Sequence, residues 1–163
     1  MKIREDRKAK SISFFNKQSI VSKKKIINFI KHKSKNFLLN CRISINSSSK
    51  DDINYMIIFQ KKNFIPNPKY YRKKDKIFFC NQGKIIFLFF DKKMRFLNAK
   101  KLNKNEFIFI KNQTVYTNIS LTSKTIHSEV ISGPFIGKTK ERIELSFPSS
   151  KMMWLKNNLR NFW

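Results

Sequence analysis

The chain has 163 residues, enough for one ordinary domain that buries roughly two-thirds of its unfolded surface without disulfide staples. Its formal charge of +26, from 36 Lys and Arg against 10 Asp and Glu, would ordinarily point to nucleic acid or an anionic membrane. Most of these cations are lysines dispersed along the chain, over-used together with Asn, Ile and Phe. A/T-rich codons therefore account for much of the charge, and nonspecific polyanion binding is the expectation rather than a phosphate-reading stripe. The longest uninterrupted apolar run, Ile85–Phe90, is too short to cross a bilayer, and no apolar signal core follows the charged start, so a cytoplasmic location is expected.

In chain order, Ser22 is placed to cap a helix over "KKKIINFIKHKSK", where Ile26 and Ile30 stand a turn apart, Ile27 borders their face and lysines fill the rest. From Phe37 onward short apolar runs alternate with polar turns: "FLLNCRISI", "NYMIIF", "KIFFC", "KIIFLFF", "RFLNAKKL", "EFIFI", "TVYTNISL" and "TIHSEVI". About eight strands at such spacing predict an antiparallel sandwich or barrel. "NQG" at 81–83 and "DKK" at 91–93 supply tight turns, and with only 3 glycines Asn must take many left-handed turn positions. The tail "KMMWLKNNLRNFW" carries Trp154, Leu155, Leu159, Phe162 and Trp163 near helical spacing, a stripe suited to docking on the barrel or, second, on a membrane surface. The expected organisation is an N-terminal segment with its helix over 1–36, a β-barrel over 37–148 and a tail over 149–163.

Few residues offer chemistry on their own. Cys41 and Cys80 lie in apolar runs and read as buried thiols. His32 and His127 have no second histidine or cysteine spaced nearby, which favours structural or solvent-facing roles. With Gly83, Gly133 and Gly137 as the only glycines, neither a nucleophile elbow nor a phosphate loop can be written. Asn46, Asn112 and Asn118 open Asn-x-Ser/Thr triplets that read as chance matches in an Asn-rich chain.

Three stretches carry a family resemblance: "NCRISINSSSKDDINYMIIF" at 40–59, "FIPNPKYYRKKDKIFFCNQGKIIFLFFD" at 64–91 and "SLTSKTIHSEVISGPF" at 120–135. They resemble the cupins, small jelly-roll barrels, and more narrowly the WbuC-type cupin metalloproteins encoded among bacterial surface-polysaccharide genes. The resemblance implies a mainly β fold, a single jelly-roll barrel with a short N-terminal helix, and a divalent metal held by two histidines, a glutamate and a further histidine. The first two histidine positions fall on Pro68 and Tyr70, and the glutamate position on Lys76, or on Asp75 if counted forward. In "NEFIFIKNQTVY" the second motif's glycine, proline, glycine and histidine positions fall on Asn105, Lys111, Gln113 and Tyr116.

Those side chains cannot assemble a cupin-type metal site. Borderline divalent ions need converging imidazole and carboxylate donors, whereas proline offers none, phenols ionise only near ~10, and a lysine brings its own cation. No cofactor is expected. Tyr70, Tyr71 and Tyr116 beside Lys69, Arg72 and Lys76, with Asp75, form a candidate pocket for an anionic sugar or nucleotide, and the tyrosines alternatively fill the space left by the metal. The readings are a metal-free cupin-fold protein descended from a polysaccharide-linked ancestor, a metal-independent enzyme or small-ligand module acting on sugar nucleotides, and a basic nucleic-acid binder. A homodimer is compatible with each.

Overall fold

The computed structural model describes residues 3–6, 12–16, 22–35, 39–46, 50–134 and 141–158. Its strands are β1 (Ile3–Asp6), β2 (Ile12–Asn16), β3 (Cys41–Ser44), β4 (Ile53–Gln60), β5 (Lys69–Tyr71), β6 (Lys76–Gln82), β7 (Ile85–Phe90), β8 (Phe96–Leu102), β9 (Phe107–Ile110), β10 (Val115–Ser120), β11 (Thr125–Ser132) and β12 (Arg142–Glu144). Helix α1 spans Lys23–Lys33 and α2 spans Ser149–Asn158. The strands form a seven-stranded sheet in the order β1-β2-β3-β4-β11-β6-β9 and a five-stranded sheet in the order β12-β5-β10-β7-β8. Every pairing is antiparallel except β2 with β3. The fold is mainly β, a jelly roll of two facing sheets.

The helix forms where its cap dictates. Ser22 accepts a hydrogen bond from the Lys25 amide at 3.3 Å, and Lys31, His32 and Lys33 sit in the last turn, where positive charge suits the exposed carbonyls. Ile26, Ile27, Phe29 and Ile30 then pack on Cys41, Ile43, Ile57, Phe59 and Ile126. The outer face of the larger sheet is thereby covered. The outer face of the smaller sheet carries Ile86, Leu88, Phe90, Val115 and Ile119, under Leu155 of α2 and the partly buried Leu145 and Phe147. Trp154, beside Leu155, is exposed. Leu159, Phe162 and Trp163 of the expected apolar stripe lie outside the described residues.

Because helix and tail cover the outer faces, both faces of the central strands are buried, which explains the nearly unbroken apolar run of β7. Side chains alternate between the helix-covered faces and the space between the sheets. Between the sheets lie Phe78, Cys80, Ile85, Phe87 and Tyr116, with Phe78 and Phe87 ring centroids 5.0 Å apart. Cys41 and Cys80 are free buried thiols in separate clusters, and burial pushes the Cys41 thiol up to about 12.

Turns follow the expected chemistry with additions. Asn63 (φ 58) and Asn105 (φ 70) are left-handed, but so are Lys35, Met94 and Gln113. At the β7–β8 turn, Asp91 accepts from the Arg95 amide at 2.8 Å and from its Nε at 2.5 Å. Strand β6 runs two residues, Asn81 and Gln82, into the turn expected over 81–83 and reverses at Gly83, whose φ is +82. A Cβ there would stand 2.3 Å from Thr122 Oγ1 and 3.0 Å from Thr125 Cα, disturbing the 2.8 Å hydroxyl bond between these threonines. Gly83→Ala is therefore expected to cost about 2 kcal/mol, lowering the thermal midpoint by about 6 °C. An unchanged midpoint by differential scanning calorimetry would show that the turn is not constrained in this way.

Candidate functional site

The registers fix which side chains share the space between the sheets. In the larger sheet, Arg42 is paired with Ile58, Ile58 with His127, and His127 with Cys80. The next inward row runs through Ser44, Met56, Glu129, Phe78 and Ile108, and the next through Asn54, Ile131, Lys76 and Ile110. Across the interior, the smaller sheet presents Lys69, paired with Tyr116, which is paired with Phe89. Farther along, Gln60 and Asn118 tie the two sheets together, with Gln60 Nε2 donating to the Asn118 carbonyl at 2.8 Å and Asn118 Nδ2 to Gln60 Oε1 at 2.9 Å.

The centre of this space is ionic. Lys76, 2% exposed, lies diagonally across from Glu129, 6% exposed, and its ammonium donates to Glu129 Oε1. The same ammonium sits 3.9 Å from the ring centroid of buried Tyr71 and 5.6 Å from that of Phe78. Burial alone would raise the Glu129 carboxyl, but Lys76, with Lys69 and Arg42, overrides it and holds the group at about 2. Burial likewise opposes the Lys76 charge, and Glu129 more than compensates, keeping the ammonium above its ordinary range.

Around this pair lie less completely satisfied groups. Tyr116 is 1% exposed and its hydroxyl makes no hydrogen bond among the described residues. Burial raises its pKa, against the pull of Lys76. His127 is also 1% exposed, its Nδ1 has no hydrogen-bond partner among the described residues, and burial lowers it to about 4. Lys69 is partly buried with its Nζ 5.8 Å from the Tyr116 ring centroid; burial, reinforced by Lys76, lowers it to about 7.

The sequence-derived positions distribute as follows. Lys76 and Tyr116 both lie inside the barrel beside Phe78, whose ring is in edge contact with Tyr116 at 5.7 Å between centroids. Tyr70 is a correction: it packs on the outer cluster with Ile86 and Leu88, and Lys92 Nζ lies 5.7 Å from its ring centroid. Pro68 is buried just before β5, its carbonyl accepting from the Leu145 amide at 2.8 Å. The inward residues of β5 are instead Lys69 and Tyr71, because a one-residue shift on a strand reverses every side chain. Asp75 is exposed, and its Oδ1 accepts from the Asn112 amide at 2.7 Å, tying down the turn before β10. Between Asp75 and Lys76, then, it is Lys76 that points inward. Arg72 is exposed and donates its amide to the Glu141 carbonyl at 3.0 Å. Asn105 and Gln113, at the positions where the resemblance places glycines, adopt φ values of 70° and 59°.

Arg42, His127 and Glu129 were not singled out from sequence as parts of a site. The available signal was parity in "TIHSEVI": Ile126 and Ser128 belong to the helix-covered face, so His127 and Glu129 must share the other.

No protein-family model matches the chain. No curated protein matches it either. Among solved structures it is similar to CapF with the inhibitor 3-isopropenyl-tropolone, at a TM-score of 0.57 and 12% identity over 65% of this chain and 31% of CapF. The capsular polysaccharide assembling protein CapF from Staphylococcus aureus matches at a TM-score of 0.52 and 13% identity over 60% of this chain and 27% of CapF. KdgF from Halomonas sp. matches at 0.47 and 12% identity, over 57% of this chain and 77% of KdgF. The chain thus spans about a third of CapF's length. At these identities the likeness bears on the fold, and CapF is a cupin-fold protein. The two-sheet jelly roll described above is a cupin-type barrel.

Proposed function

We propose that the chain is a WbuC-type cupin that works without a metal, as a binding module for an anionic sugar or sugar nucleotide linked to surface-polysaccharide synthesis. The observation that carries this reading is the Lys76 ammonium, lodged between Glu129 and the Tyr71 ring inside the barrel. The donors around it do not suit a divalent cation: the nearby carboxylate is occupied by an ammonium, the neighbouring Lys69 and Arg42 are cationic side-chain types, and His127 is the one imidazole. Among the described residues no three His, Cys, Asp or Glu side chains come together. Among the described residues the cationic side chains that act on Glu129 are Lys76, Lys69 and Arg42, which supports a ligand carrying negative charge, and Tyr71, Tyr116 and Phe89 offer flat surfaces against which a sugar ring can stack. CapF's role in capsular polysaccharide assembly supports the polysaccharide link.

Thermal-shift measurements with UDP-glucose and UDP-N-acetylglucosamine test this directly. A hundredfold excess over Kd is expected to raise the midpoint by about 5 °C or more, and the shift should survive an increase to about 0.3 M salt. A single-stranded oligonucleotide should lose its effect over the same increase, because loose polyanion binding is driven by counterion release. If the oligonucleotide shift persists while the sugar nucleotides do nothing, the chain is a nucleic-acid binder. Stoichiometric zinc, iron or manganese by elemental analysis of the purified protein would overturn the metal-free reading.

A further inference from the structure

We infer that strand β9 is the contact edge of a symmetric homodimer, in which it pairs antiparallel with β9 of a second copy of the chain. Among the described residues the two sheets leave four edge strands, β1, β9, β12 and β8. Three of these carry charge: Arg4, Glu5 and Asp6 on β1, Arg142 and Glu144 on β12, Lys100 and Lys101 on β8. Charged residues are a common guard against other strands adding to an open edge. Strand β9 reads Phe-Ile-Phe-Ile and has none. In a chain of +26 whose lysines are dispersed throughout, residues 105–110 contain no basic residue.

The backbone is set to pair at this edge. The Asn105 amide donates to the Cys80 carbonyl at 2.8 Å, and the Cys80 amide donates to the Glu106 carbonyl at 2.9 Å. These bonds fix the phase of the ladder: Ile108 and Ile110, opposite Phe78 and Lys76, turn their backbone groups toward β6. Phe107 and Phe109 therefore aim their N–H and C=O groups at the open side. The side chains agree with this. Helix α1 lies over β3, β4 and β11, and the same outer face continues onto β6 and β9, where Ile77 is 43% exposed, Phe109 50% and Phe107 69%. With Ile108 on the two-fold axis, Phe107 stands opposite Phe109 of the second copy, and Phe109 opposite its Phe107, so both residues hydrogen-bond. No other two-fold register within the four residues of β9 uses both. Ile77 and Phe109 then continue directly into Phe107 and Phe79 of the second copy, and symmetry repeats the row.

Charge and area select a second copy as the occupant. An acidic partner would be drawn to the lysine-bearing surface, and this patch offers it no cation. Two copies repel one another everywhere else, so the strand without lysine is where they approach at least cost. At the 150–250 Å² that an aromatic side chain buries, the exposed parts of Phe107 and Phe109 supply roughly 180–300 Å² per copy. A standard interface takes about 800 Å² per partner. Ile77, Phe79 and the edge backbone add to the rings, and the total stays in the range of weak, reversible association. Because the contact is isologous, each copy uses its one unguarded edge and assembly closes at two chains.

Sedimentation equilibrium of the whole chain from about 5 to 500 μM, at about 0.05 and 0.3 M salt, tests the inference. The mass should rise with concentration toward that of two chains, and the higher salt should tighten the dimer at least about threefold by screening the repulsion between copies. Phe107→Thr/Phe109→Thr removes both rings without adding charge and should weaken the dimer at least about tenfold, while the thermal midpoint holds because both side chains are exposed. Leu97→Thr on β8, 61% exposed, should leave the dimer as it is. Ile108→Cys should form a disulfide between copies under mild oxidation, since residues facing across the axis lie about 4.5 Å apart between Cα atoms, whereas Lys101→Cys should not. Cys41 and Cys80 are buried and do not compete. A monomer at every concentration, species larger than two chains, a dimer that salt weakens, a dimer untouched by Phe107→Thr/Phe109→Thr, or cross-linking at Lys101→Cys in place of Ile108→Cys overturns the inference. None of these outcomes depends on binding of sugar nucleotides, so the two proposals fail separately.

Discussion

Glu129→Gln is expected to destabilise the protein by about 3–5 kcal/mol, a fall of roughly 10 °C in the thermal midpoint, although it alters one atom and leaves the side-chain shape intact. The reason is what it leaves behind. Lys76, 2% exposed, would keep its ammonium in the barrel with no counter-charge, only a neutral amide oxygen and the Tyr71 and Phe78 rings around it. Cation–π contact supplies about 2 kcal/mol at best, less than the cost of stranding a charge away from water. The wild-type pair itself need not be strongly stabilising, since desolvating two ions offsets most of their attraction. The double variant Lys76→Met/Glu129→Leu should therefore recover most of the loss, or exceed the parent. The pH response separates this from a packing defect. In the parent, Lys76 is held above its ordinary value, so its contribution is present below the unfolded lysine range and lost only above it. In Glu129→Gln the folded-state value drops, and stability should instead rise as pH climbs toward about 10. A loss under about 1 kcal/mol in urea unfolding, or a flat alkaline response in the variant, would mean that Lys76 finds another partner.

That pair also shows where sequence reading reaches its limit. Local signals were legible: Ser22 caps α1 because capping requires only a hydroxyl three residues before an amide. The β6–β7 hairpin follows from Gly83 between two apolar runs, and Asn63 and Asn105 take left-handed turns as their short amide side chains allow. An antiparallel sandwich or barrel was legible from strand number and spacing, and the family resemblance narrowed it to a jelly roll. Strand β5 was not: three residues, Lys69–Tyr71, give too little alternation to reveal which face each occupies, and assigning the interior to Tyr70 places it one residue out of phase. Strands β1 and β12 carry charged residues in runs of four and three, β2 is five residues long, and none presents a clear apolar period. His127 read as structural or solvent-facing and Glu129 drew no reading, because a half-exposed sheet is the usual context for such residues. Only the covering of the larger sheet by α1 makes both faces of β11 interior.

Acid should weaken the protein in two separable stages, and His127 controls the first. Its ring lies 6.1 Å from Phe78, its Nδ1 lacks a hydrogen-bond partner among the described residues, and burial, reinforced by Lys69 and Arg42, holds it at about 4. The folded value lies below the unfolded value of about 6.5, so between these limits the unfolded chain binds the extra proton and stability falls as pH falls. A separation of this size amounts to about 3 kcal/mol once pH 4 is reached. Glu129 shares the sign but acts lower: its contribution is intact above the ordinary carboxylate value and disappears as pH drops toward about 2. Lys69 does not blur the picture, because its own window lies between the ordinary lysine range and about 7, on the alkaline side. His127→Leu should thus flatten the stability profile between pH 6.5 and 4 while retaining the steeper loss below it. Urea midpoints at about pH 7, 5.5 and 4.5 measure the difference. Parallel slopes for the variant and the parent across this range would show that the imidazole protonates without leaving the fold, and that water or a rearranged Glu129 reaches it inside the barrel.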